Sequence, residues 1–539
     1  MACFARTSLS IAIGICSTFL LIETAYAQDC DCDHTIAPDT NSANGADLGV
    51  QPGDVVCVEA GARPFLTLDA FVGTESAPIV IKNCGGQVVI DNSDKGYGLR
   101  IAGSSYFQVT GSGDPGFFYG FDIAARRTGP DYSAMGVAAG GLSTNYELDH
   151  LEVHHAGFAG FNLKTEPSCD GSSNLGTFVQ YDTRVHDTYV HDTGGEAFYV
   201  GSTGYGGRDY QCDGQTVTLY PHEHEGVYLH DNVIEDTGWD GLQVGVTPKD
   251  CEVYRNVIRR VGRTATDSVQ TRGIQIGGAS VCKIYDNYLE DGPTIGIFIL
   301  GAGNTTVTNN VVVGFAEDGI YANDQQNDAV QGASYVFLHN TVVASGDTGI
   351  SVFGTRIQGN SAWNNLIVGS IGNPMGIGGD VDWQEGGNLL LDDPSGVGFV
   401  DAAAHDFHLT ATSAARDVGV AIPNHVVAYD RDGVERDGEP DVGAYEYTDA
   451  PPPDGGVGGT GGSAGSGGGS AGGGPAGSGG SATGGDAGAS GTAGSAPATS
   501  SDGSEDSGCG CRQANRSSHH PFIALMIAAV ACAAYRRKR

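Results

Sequence analysis

Residues 227–245 read VYLHDNVIEDTGWDGLQVG, and the order of their parts decides the fold: a short alternating run, Asn232, a second run, a polar corner and a Gly-centred third run. The same order returns in CEVYRNVI (251–258) with TRGIQIG (271–277), CKIYDNYLEDGPTIGIFILG (282–301), TVTNNVVVGFAEDGIYAND (306–324), YVFLHNTVVASGDTGISVFG (335–354) and SAWNNLIVG (361–369). The shared Asn falls at 232, 256, 287, 310, 340 and 365, in steps of 24, 31, 23, 30 and 25. Repeats of this length mean stacked units. Each unit carries β-branched runs and Gly- or Asn-rich turns, with no ten-residue helical stripe. Two or three strands per coil, stacked in parallel, are therefore expected. The Asn column then becomes a ladder that bonds turn backbone inside the solenoid. A propeller would need four strands in each of its longer blades, and these coils are too short.

Working outward, GDVVCVEAGARPF (53–65) and SAPIVIKNCGGQVVID (76–91) look like the first coils of such a solenoid. DFHLTATSAARDVG (406–419) and DRDGVERDGEPDVGAYEY (430–447) look like its closing segment. Over residues 47–400 the pattern resembles the right-handed parallel β-helix of the pectate-lyase superfold. The resemblance implies an all-β domain over 28–450 with an N-terminal cap and a C-terminal closing segment. It also implies action on polysaccharide, although one superfold hosts several functions.

The ends give an address. Residues 1–27 combine Arg6, an apolar run from Leu9 to Ile22 and Ala25-Tyr26-Ala27, the pattern of a cleaved secretory signal. Residues 451–507 are rich in Gly, Ser and Ala without a collagen period, so a disordered tether is expected. From 508 to 539 come Gly508-Cys509-Gly510-Cys511, a short hydrophobic segment and Arg536-Arg537-Lys538-Arg539. That arrangement resembles the myxobacterial C-terminal surface-sorting tags, which implies a sorting machinery as partner and display at the cell surface or release after processing. Membrane contact is expected only through this segment. The formal charge of −37 disfavours nucleic acid and favours cations. The chain is expected to work as a monomer.

Export permits disulfides. Cys251 and Cys282 each stand five residues before the marked Asn of successive coils, so stacking brings them together. Cys169 and Cys212 sit in Cys-Asp-Gly insertions of consecutive coils and are expected to pair. Cys30, Cys32, Cys57 and Cys84 leave three pairings open.

Aligning the Gly-centred strands puts Ala159, Glu196, Asp240, Arg272, Ile295, Asp318 and Thr348 in one column. Asn162, Tyr199, Gln243, Gln275, Phe298, Tyr321 and Ser351 form a second. Polar groups concentrate between 150 and 277, beside the two largest insertions, and a cleft is expected there. Lys164, one of five lysines between 28 and 507, is the candidate base of a uronate lyase, with Glu196, Asp240 and Arg272 completing the catalytic set. Asn162, Tyr199, Gln243, Gln275, His186 and His230 are the candidate substrate-binding residues. Glu196 and Asp240 are candidate Ca2+ ligands, and His222 and His224, alternating on one strand, candidate transition-metal ligands. Asp430, Asp432, Asp437 and Asp441 suggest a capping turn ahead of a Ca2+ loop. Two alternatives stand beside the lyase: an inverting glycoside hydrolase, whose carboxyls would sit about 6.5 to 9.5 Å apart, and a non-catalytic glycan-binding or structural surface protein.

Overall fold

The computed structural model describes residues 30–449, apart from 129–132, 265–269, 302, 325–333 and 355. The readings of signal, tether and sorting tag lie outside these residues. The regular structure described is almost entirely strand, with one four-residue α-helix, Gly45–Leu48, and two single-turn 3-10 helices, Pro394–Gly396 and Ala402–Ala404.

Each regular coil contributes three strands. In one coil they are Val179–His186, Tyr189–His191 and Phe198–Val200; in the next, Glu223–His230, Val233–Glu235 and Leu242–Val244. Every such strand pairs in parallel with its counterpart one coil away. The first two series merge into a 23-stranded sheet, while the third forms a separate 12-stranded sheet. Side chains alternate faces along a strand, so one residue of each coil repeats inward. Val185, Leu229, Val253, Ile284, Val307, Phe337 and Ala362 form one such inward column, all buried. The parallel β-helix expected from the repeats is the fold.

The corner between first and second strands explains the repeated Asn. The residue before it (Asp231, Arg255, Asp286, Asn309, His339, Asn364) has φ between 51° and 57°, a left-handed conformation that Asn and Asp tolerate best. The ladder Asn then turns inward and is buried. Asn287 donates from Nδ2 to Asn310 Oδ1 (2.9 Å) and Val253 O (2.8 Å), and its own Oδ1 accepts from the backbone and side-chain nitrogens of Asn256. The chain of contacts runs from Asn232 to Asn388, one rung beyond the last Asn marked in the sequence.

The expected Cys169–Cys212 bridge forms, and Cys251 and Cys282, brought together by stacking, are bridged as well. The open connectivity resolves as Cys30–Cys84 and Cys32–Cys57, which tie the entry strand to the first coils. At the other end Phe407, Ala444 and Tyr445 pack on Val257, Tyr288, Val311 and Val343. Asp430 accepts from the backbone of Asp432, Val434 and Glu446, and Asp441 from Asp417 and Tyr447. Those carboxylates serve as turn caps, as the capping reading expected.

Candidate active site

From Phe161–Leu163 onward, the third strand of each coil is three or four residues long. In Phe198–Val200 the two flanking side chains enter the core, and Tyr199 faces outward. Register places Asn162, Tyr199, Gln243, Gln275, Phe298, Tyr321 and Ser351 in one outward row. The corner before the strand carries the other column. Gly160 N bonds Glu196 O, Ala197 N bonds Asp240 O and Gly241 N bonds Arg272 O, so Glu196, Asp240 and Arg272 occupy successive rungs. Glycine at 160 is dictated by crowding, since a Cβ there would lie 2.5 Å from Val190 Cγ1.

An open cleft was expected over this stripe; the structure instead covers it. Glu196, Asp240 and Gln243 are 0% exposed, and Lys164, Tyr199, Arg272 and Gln275 are also buried. The two insertions run beside the stripe's Lys164 and Tyr199 end: residues 165–178 and 201–222 bond one another through Leu175 N to Tyr220 O (3.0 Å), Thr165 N to His222 Nε2 (3.1 Å) and the Cys169–Cys212 bridge. Tyr199 Oη meets Thr203 Oγ1 at 3.1 Å, joining stripe to insertion.

Charge inside this enclosure is unusual. Burial first, and then the neighbouring Asp240 carboxyl, push Glu196 up to about 8. Asp240 is pushed up to about 7 by burial, against the backbone N–H of Arg272, which donates to its Oδ1 at 2.7 Å. Among the described residues, Glu196 Oε2, Asp240 Oδ2 and both amide atoms of Gln243 have no hydrogen-bond partner. Lys164 lies 2.7 Å from Glu166 and 4.0 Å above the Tyr199 ring. Burial alone would lower its pKa, but Tyr199 and Glu166 outweigh it and hold the ammonium charged. In this arrangement Lys164 presents an ammonium to the stripe. The Arg272 guanidinium sits 4.3 Å over Phe298 on the same stripe.

The histidines divide. His222 and His224 stack at 4.7 Å beside this enclosure. His222 has both nitrogens engaged, one with Thr165 N and one with Glu223 O, which leaves no lone pair for a metal. His224 is fully buried, neutral because burial drives its pKa well down, and has neither nitrogen partnered. His186 and His230 do stack, at 4.7 Å, but on the 23-stranded sheet, away from the Glu196 column. Their rings continue into Tyr254 and Tyr285, and the adjoining Asp187 and Asp231 hold their Nδ1 atoms. They form a surface ring ladder, and the substrate-binding role expected of them is not supported by their position.

Two contributors escaped the sequence reading. Glu166 fixes Lys164, and its position two residues along the same extended stretch was a usable signal. Gln270, which donates to Glu196 Oε1 at 3.3 Å, gave none, since it arrives from an irregular segment.

Residues 215–382 match the family described as right handed beta helix region. No curated protein sequence matches the chain. Among solved structures it is similar to pectate lyase Pel9A, at 15% identity over 78% of this chain and 98% of that one, with a TM-score of 0.41. It is similar to the Azotobacter vinelandii mannuronan C-5 epimerase AlgE4 A-module, at 14% identity over 63% and 87%, TM-score 0.41. It is also similar to GH136 lacto-N-biosidase from Eubacterium ramulus, at 14% identity over 66% and 68%, TM-score 0.39.

Proposed function

We propose that this chain acts on an extracellular, uronate-containing polysaccharide, by lyase-type cleavage at the Lys164, Glu196, Asp240, Arg272 stripe. The observation that carries the reading is the pair of stacked carboxyls whose proton affinities fall near neutrality, about 8 and about 7, flanked by two cations. Groups that titrate near the working pH are suited to moving protons. Asp240, whose Oδ1 accepts the Arg272 backbone N–H at 2.7 Å, takes the proton α to the uronate carboxylate. The electron pair forms the ring double bond, the glycosidic oxygen leaves, and Glu196 supplies its proton. Lys164 and Arg272 neutralise the uronate carboxylate as charge develops. Tyr199, Gln243 and Gln275 bind hydroxyls.

Ca2+ fits the donor chemistry in part. Glu196 Oε2, Asp240 Oδ2 and Gln243 Oε1 are buried, unpartnered oxygens of the kind a hard cation takes. They do not belong to any group of three His, Cys, Asp or Glu ligands within reach of one ion among the described residues. Bound there, Ca2+ would supply further charge for the substrate carboxylate.

One observation favours the non-catalytic alternative: Glu196 and Asp240 are both buried, so neither carboxyl meets a substrate in this conformation. The test is incubation of the protein with a panel of uronate polymers, following the ultraviolet absorbance of an unsaturated product. Cleavage by the wild type and a loss of about 100-fold or more in Lys164→Gln are expected. Reducing ends without that absorbance would mean hydrolysis; retention on glycan with no product would mean a binding protein. We also propose export through residues 1–27 and surface display through 508–539, to be checked by fractionating cells that carry the chain with and without its last 32 residues.

A further inference from the structure

Away from that stripe, three histidines of two coils meet where the second strand ends. His154 closes Leu151–His154, His191 closes Tyr189–His191, and register sets the two side by side. Their rings stack at 5.2 Å and 6°. His155 follows in the left-handed conformation, with φ of 50°, and its Nδ1 lies 2.6 Å from Nδ1 of His154.

The surroundings fix which nitrogen carries the proton. Asp122 Oδ1 is 2.7 Å from His154 Nε2. A carboxylate only accepts, so Nε2 donates, and in the neutral ring Nδ1 presents a lone pair that the Nδ1–H of His155 fills in the metal-free chain; binding a metal there requires His155 to carry its proton on Nε2 instead. This is the carboxylate, histidine, metal order in which an outer carboxylate orients the ring and raises its basicity. His191 is not a ligand in this arrangement: Asp192 holds its Nδ1 at 2.8 Å and Glu152 its Nε2 at 3.2 Å, and the ring serves as a wall for His154. His155 is exposed and opens on a cavity of ≈ 290 Å³ that Asp192 and Thr193 also line. Arg126 lines it too, but Asp91 holds that guanidinium at 2.9 Å.

We propose that Nδ1 of His154 and Nδ1 of His155 bind one divalent transition metal ion, its other positions filled by water in the cavity with Asp192 alongside. Two imidazole nitrogens select the Zn2+, Ni2+ and Cu2+ class over Ca2+. With metal–nitrogen bonds of about 2.0 to 2.1 Å in a tetrahedral array, the nitrogens must part to about 3.3 Å. His155, exposed and at the coil corner, makes that movement. Among the described residues, two groups place three or more His, Cys, Asp or Glu at ligand spacing: the disulfide-paired Cys30, Cys32, Cys57 and Cys84, and the trio Glu147, Asp149 and His186. The trio is already satisfied, because Gln108 donates to both carboxylates at 2.8 Å and His186 pairs with Glu147. It therefore provides the control.

Zn2+ alone is titrated calorimetrically into the full chain at neutral pH. His519 and His520 near the C-terminus are present in every variant, so the event of interest is the one that differs between variants. His155→Asn keeps a residue suited to left-handed backbone and is expected to weaken that event by at least about tenfold, as is Asp122→Asn through the outer contact. His186→Gln is expected to leave it unchanged. Cu2+ bound to the wild type is expected to show two nitrogen couplings by electron paramagnetic resonance. Unchanged Zn2+ affinity in either His155→Asn or Asp122→Asn overturns the proposal, and so does its loss in His186→Gln.

Discussion

Replacing Glu196 and Asp240 together, by Gln and Asn, is expected to make the protein more resistant to urea at mildly alkaline pH while leaving its stability near pH 4 almost unchanged. In the folded chain these carboxyls hold protons up to about 8 and about 7, through burial first and, for Glu196, the adjacent Asp240. In the unfolded chain both release them near pH 4. Between those limits folding takes up protons, so this pair's contribution is greatest below about pH 4 and is lost as pH rises through 7 and 8. Each group contributes a slope of up to about 1.4 kcal/mol per pH unit, or nearly 3 for the pair at most. The amides mimic the protonated acids and remove the slope. Urea unfolding across that window is the measurement, and equal slopes in wild type and variant would refute the enclosed, proton-holding pair. Since the variant also loses the groups assigned to proton transfer, higher stability with lower activity is the pattern expected of a functional site maintained at a cost in stability.

The sequence carried the register of this molecule with unusual clarity. Both outward columns of the Gly-centred strand fall on the residues that alignment of the repeats placed there, because a parallel solenoid converts coil phase directly into neighbours. Cys251 and Cys282 illustrate the same rule: five residues before the ladder Asn in each coil, they are register partners in the sheet. Exposure was not legible. Coil phase says that Glu196 and Asp240 point off the sheet, but whether they meet water depends on irregular segments such as the one that brings Gln270 to Glu196, and these lack the repeat that made the rest readable. The charge state of Lys164 was hidden for a related reason, since Glu166 and Tyr199 act on it only once the strand has delivered them to the same side. His186 and His230 show the opposite error. Shared phase correctly stacked them, yet phase within one strand series carries no information about distance to another.

The Asn ladder gives the second large effect. Asn287→Ala is expected to lower unfolding stability by roughly 4 kcal/mol, because it removes a side chain whose donors and acceptors are all engaged out of reach of water. The loss leaves the Asn256 N–H, the Val253 carbonyl and the Asn310 Oδ1 short of a partner at once. Leaving one such group unmet costs about 1 to 3 kcal/mol. Asn388→Ala at the end of the ladder removes the Oδ1 that accepts from Asn365 and the Nδ2 that donates to Ala362, and it does so where solvent can replace them. About 1 kcal/mol is expected there. Asn287→Asp preserves shape but turns the donor nitrogen into an oxygen facing the Val253 carbonyl and Asn310 Oδ1, so it is expected to be at least as harmful as Ala. Urea midpoints for the three variants decide the matter. If Asn287→Ala cost no more than Asn388→Ala, the inward Asn column would be a consequence of corner geometry with no stabilising role, and the repeat would have to owe its cohesion to the aliphatic stack alone.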